Sequence, residues 1–106
     1  MNNIKTLNAD LSNLIAQAIN LKSTMVHVES KKSSPCIIKH SIRGALQLSD
    51  SSVSMTSIYE AFNFQDNFYG DGELRTSVDN VDVILRANKA PIFGGDAVYI
   101  KVLQQS

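Results

Sequence analysis

The sequence predicts an α+β domain: one long N-terminal helix packed on an antiparallel sheet of five or six strands, with a short second helix near residues 58–64. Three observations carry this. Apolar residues recur at helical spacing from Ile4 to Leu21, they alternate with period two through most of the rest, and Gly, Pro, Asn, Asp and Ser clusters cut that remainder into strand-length pieces. The chain of 106 residues has the size of one domain spanning 1–106, large enough to bury a core.

The helix comes first. Ile4, Leu7, Leu11, Leu14, Ala18 and Leu21 fall at alternating spacings of three and four, and Ile15 and Ile19 widen the stripe on one side. No Gly or Pro interrupts the run, so a helix is expected from Asn3 to Lys22. Twenty residues at about 1.5 Å each give roughly 30 Å. A chain of this size has a radius of gyration near about 13 Å. The plain reading lays the helix across its own sheet; its length makes the stripe the expected surface for self-association into a homo-oligomer.

The period then changes. In "TMVHVES", Val26 and Val28 share one face and Met25, His27 and Glu29 the other. "KKSSP" is a polar turn closed by Pro35. "CIIKHSIRG" alternates again, with Cys36, Ile38, His40 and Ile42 on one side and Lys39, Ser41 and Arg43 on the other. The two runs predict a hairpin with a basic tip, and "ALQLS" extends the second strand past a bend at Gly44. Ser57 and Glu60 have capping-box spacing ahead of a helix from Ile58 to Phe64 that buries Ile58, Ala61 and Phe62.

Leu74, Thr76 and Val78 share one parity while Val81, Val83 and Leu85 share the other, so Asp79–Asn80 is read as a tight hairpin turn. "NKAPIFGGD" is read as a longer connection, and the last strand turns Val98, Ile100 and Val102 inward.

Composition narrows the function. Hydrophobic residues make up 43% and charged residues 19%, as in an ordinary globule. The lone Cys36 forbids an internal disulfide, and no run of about 18 apolar residues is present, so a cytoplasmic protein without a membrane span is expected. Net charge is zero, yet residues 1–49 carry six basic against two acidic side chains and residues 50–106 four against eight. The two halves cancel when they pack, or else mark complementary faces.

Catalytic and cofactor signatures are weak. No Ser sits in a GxSxG elbow, and neither GxxxxGK[ST] nor GxGxxG occurs. Cys36 and His40 share a strand face, but four residues along a strand span about 13 Å, too far for a thiol–imidazole pair. One Cys and two His fall short of a structural zinc site. In "NFQDNFYGDGE" an EF-hand fails, because Asp71 stands where Gly is required; a looser calcium site from Asp66, Asp71 and Glu73 is the residual metal reading. No cofactor is expected.

The same stretch is the expected contact surface for another protein, with Phe64, Phe68, Tyr69 and Asp71 as contact residues. The bland reading makes its aromatics core plugs. The leading expectation is therefore a small non-enzymatic binding protein, an accessory or inhibitor-type factor of the size common in phages and other mobile elements. One alternative is a nucleic-acid-binding protein that meets phosphates with Lys31, Lys32, Lys39 and Arg43. Against it, the pI is near 6.7 and no aromatics interleave with those residues. Another alternative is a small-molecule site between helix and sheet.

Overall fold

Two three-stranded meanders, each preceded by a helix, join through their first and last strands into one six-stranded sheet. The computed structural model describes residues 4–31, 35–64 and 69–104. Along the chain run α1 (Ala9–Asn20), β1 (Met25–Lys31), β2 (Ile37–Ile42), β3 (Ala45–Leu48), α2 (Met55–Phe62), β4 (Gly70–Val78), β5 (Val81–Ile92) and β6 (Gly95–Gln104). The sheet order is β3-β2-β1-β6-β5-β4, and every neighbouring pair is antiparallel.

One parity of each long strand faces the helices. Val26 and Val28 of β1 register with Ile100 and Val98 of β6, and these meet Leu11, Leu14, Ile15 and Ala18 of α1 and Ile58, Ala61 and Phe62 of α2 in a single buried cluster. Full burial of a Leu or Ile contributes about 1.5–3 kcal/mol, so α1 is anchored mainly by three side chains. Among the described residues the opposite sheet face carries no helix.

The expected helix from Asn3 to Lys22 is shorter, at Ala9–Asn20, and the reason lies in the β4 edge. Ile4 forms a parallel bridge with Arg75, the Lys5 N–H donates to the Arg75 carbonyl at 2.8 Å, and Thr76 Oγ1 donates to the Lys5 carbonyl at 2.7 Å. Residues 4–6 thus satisfy edge groups that a helix would leave to water. Asn8, a favoured N-cap type, ends the extended segment with φ −61° and ψ 154°. At the other end Lys22 takes φ 57°, and the N–H groups of Lys22 and Ser23 return to the carbonyls of Ile19 and Ala18, closing a Schellman motif.

Asp79 (φ 50°) and Asn80 (φ 64°) make the expected tight turn, and the parity switch across it follows. Three other readings need correction. Gly44 is no bend: Arg43 (φ 52°) and Gly44 (φ 82°) form a two-residue turn, and β3 folds back on β2. The N-cap of α2 is Ser54, whose Oγ accepts from the Ser57 N–H at 3.1 Å, so this helix begins three residues earlier than the Ser57–Glu60 spacing implied. "NKAPIFGGD" is mostly strand, with only Phe93–Gly94 between Ile92 and Gly95. Pro91 is accommodated because β4 pairing stops at Gly70–Lys89, so among the described residues no strand lies on the side its missing N–H would serve.

Candidate interaction surfaces

The helix stripe is consumed inside the chain. Leu11, Leu14 and Ala18 are fully buried against the sheet and Leu7 is half-buried. Only the ends are open, Ile4 at 54% and Leu21 at 42% exposure, and they lie beyond opposite termini of α1. The shorter helix thus lies across its own sheet and spends Leu11, Leu14 and Ala18 there.

The aromatic segment divides. Asn63 (φ 56°) caps α2 in the left-handed region and brings Phe64 back over Phe62, ring centroids 5.6 Å apart, and edge-on to Tyr59 at 6.1 Å. Phe64 therefore packs on the core. A Cβ at Gly70 would sit 3.0 Å from the Phe64 ring, and one at Gly72 would sit 2.9 Å from the Phe62 Cβ. Both glycines lie in the β4 ladder, where they make room for aromatic packing and do not turn the chain. Tyr69 at 72% exposure and Asp71 face solvent, while Phe68 and Asp66 lie outside the described residues.

Beneath this segment Lys89, only 5% exposed, places Nζ 5.3 Å over the Tyr59 ring and 3.9 Å from Asp96 Oδ1, and Tyr59 Oη donates to Asp96 Oδ2 at 3.2 Å. Glu73 accepts from Arg86 Nε at 2.7 Å, a cross-strand pair open to water and so worth at most about 1 kcal/mol. No group of three or more metal-ligating side chains forms among the described residues.

The basic residues are strung out. Lys31 ends β1, Lys39 lies mid-β2 and Arg43 sits in the β2–β3 turn, with Lys32 outside the described residues. Lys39 and Arg43 are about 13 Å apart along the strand, and Lys31 lies at the far end of the hairpin. The helix–sheet interface, where a small-molecule pocket would lie, is filled by the fully buried Leu11, Leu14, Ile15, Val28 and Ile100. A surface notch between residues 5–8 and α2 is occupied by Lys5, whose Nζ donates to the Glu60 and Ala61 carbonyls at the end of that helix.

The surface that sequence reasoning missed is the bare sheet face at the β3 edge. Leu46 and Leu48 register with Ser41 and Lys39, on the side away from the helices, with Ile37 next along β2. Leu46 is 54% and Leu48 74% exposed, and Ile37 is also open. The available signal was the Arg43-Gly44 dipeptide between two alternating runs, which marks a hairpin.

A polar cluster on the helix side fixes this edge. Gln17 Oε1 of α1 accepts from Ser49 Oγ at 2.6 Å and Ser51 Oγ at 2.8 Å, and lies 2.8 Å from His40 Nε2. With Oε1 as acceptor, Nε2 is the protonated imidazole nitrogen. Burial pushes the His40 pKa down. His27, edge-on to Tyr99 on the bare face, is also lowered, by burial and then by Lys39 against the opposing pull of Glu29. Asp10 joins the starts of the two helices. Burial works against its charge, but hydrogen bonds from the Ser54 N–H, Ser57 Oγ and Leu11 N–H hold its pKa below the ordinary value.

Together the surfaces define a two-layer α+β domain with one dressed and one bare sheet face. No model of a known protein family matches the chain, and no curated protein matches it. No helix among the described residues is long and apolar enough to cross a membrane.

Proposed function

We propose that this chain is a small non-enzymatic interaction protein that acts in the cytoplasm as a self-associated unit. One observation carries the reading: among the described residues a single helical layer leaves the other sheet face bare, and exposed Leu46, Leu48 and Ile37 gather at one edge of it. Large apolar side chains grouped at a surface are the usual mark of a protein contact. The polar and charged side chains across the rest of that face, including Lys39, Glu29, Lys101 and Arg86, supply a wet rim. Tyr69 and Asp71, open at the opposite end of the sheet, extend the surface offered to a second protein. The test is native mass by light scattering across a dilution series. The reading expects a mass rising above 11.6 kDa with concentration, and a mass fixed at one chain up to millimolar protein would refute it.

A further inference from the structure

The two edges of the sheet are treated differently by this sequence. The β4 edge is covered by residues 4–6 through the Ile4–Arg75 bridge and the Lys5 bonds, and β4 carries Asp71, Glu73 and Arg75 facing outward. Among the described residues nothing covers the β3 edge. Its sequence, Ala45-Leu46-Gln47-Leu48, contains no charge and no Pro, the usual guards of a free edge, and all four residues are exposed.

The register says which backbone groups are open. Ile42 and Ala45 flank a two-residue turn, so they form a hydrogen-bonded pair, and the alternation makes His40–Gln47 the next. The Ser49 N–H to Ile38 carbonyl bond at 2.8 Å continues the series. Ala45, Gln47 and Ser49 therefore bond to β2, while the N–H and C=O of Leu46 and Leu48 point outward.

We infer that a second copy of this chain pairs with β3, giving a twofold dimer with a continuous sheet of twelve strands. A dyad normal to the sheet makes the two edges antiparallel and keeps outer faces together. Opposed residues must then share parity, and one register uses every free group: Leu46 opposite Leu48 of the second copy, twice, with Gln47 opposite itself. Four backbone hydrogen bonds form. The four leucines, flanked by two copies of Ile37, make one apolar strip on the bare face. The pairing ends there, because Arg43 and Gly44 form the turn back to β2 and Asp50 Oδ1 accepts from Gln17 Nε2 at 3.5 Å. Leu46-Gln47-Leu48 carries no charge and reads the same in both directions about Gln47. A dyad there sets apolar against apolar and opposes no like charges, which favours a second copy over a charged strand. With four residues a side the interface is small, so exchange on dilution is expected.

The inference rests on the proposed self-association and names its geometry, and the experiment separates the two. Wild type, Leu46→Lys/Leu48→Lys and Cys36→Ser/Gln47→Cys are compared by light scattering and by mild oxidation followed by non-reducing electrophoresis. Gln47 occupies a non-hydrogen-bonded pair with Cα atoms about 4.5 Å apart, within disulfide range. The expected results are loss of association in the lysine variant and a covalent dimer in the cysteine variant. The control Cys36→Ser/Asp82→Cys, with its thiol far from the dyad, associates like wild type but gives no covalent dimer. Wild-type association with no Gln47→Cys dimer overturns this geometry and leaves self-association standing. A monomeric wild type at every concentration overturns both. The cysteine result decides even where the lysine variant fails to fold.

Discussion

Gln17→Met tests whether α1 holds the β3 edge through its polar cluster. The substitution keeps the side chain's length and removes the acceptor shared by His40, Ser49 and Ser51. His40 is 1% exposed, so its Nε2–H would be left buried without a partner, at a cost of about 1–3 kcal/mol. Ser49 and Ser51 are half-buried and can turn to water, adding only a few tenths of a kcal/mol by the same reasoning. A total of about 2 kcal/mol corresponds, at roughly 4–8 °C per kcal/mol for a domain of this size, to a fall in Tm of about 8–16 °C. Thermal unfolding followed by circular dichroism at neutral pH reads it. Adding His40→Leu removes the orphaned donor, so the double variant should recover part of the loss. A Tm within about 2 °C of wild type for Gln17→Met would refute the reasoning.

Two further predictions concern stability. Gly95→Ala places a Cβ against the backbone carbonyl oxygen of Ser30, where no side-chain movement relieves the overlap. A loss of about 1–3 kcal/mol is expected from the urea midpoint, and an unchanged midpoint would show that the β1–β6 pairing is looser there. Acid should also destabilise the fold through its histidines. The folded pKa values of His40 and His27 lie below the ordinary imidazole value of about 6.5, so between the two values the unfolded chain binds more protons. Unfolding free energy therefore falls as pH drops through about 6.5 and levels off below the folded values. Urea titrations at several pH values should show this slope, and His27→Gln/His40→Leu should flatten it; a slope of opposite sign would contradict the burial account.

Period-two alternation was legible in the sequence because one buried sheet face imposes it directly. The parity switch from Val78 to Val81 located the Asp79–Asn80 turn, and the inward positions of β1, β2 and β6 followed from their own residues. The start of α1 was not legible. Ile4 and Leu7 continue the helical stripe, and only the unpaired groups of β4, seventy residues away, make an extended segment preferable there. β3 was hidden because Arg43 adopts a positive φ that its residue type seldom takes, so the hairpin signal rested on Gly44 alone. Pro91 argued for a loop until the end of β4 was known. The interaction surfaces were least legible. The helix stripe and the bare edge both present leucines, and only burial distinguishes Leu11 and Leu14 inside from Leu46 and Leu48 outside.

The central claim, that the open β3 edge is where this chain meets its own copy, is tested most directly by amide hydrogen exchange at dilute and concentrated protein. The account predicts that the Leu46 and Leu48 amides exchange freely when dilute and gain protection with concentration, while Ala45 and Gln47, already bonded to β2, change far less. Leu46 and Leu48 amides that exchange freely at every concentration would contradict it.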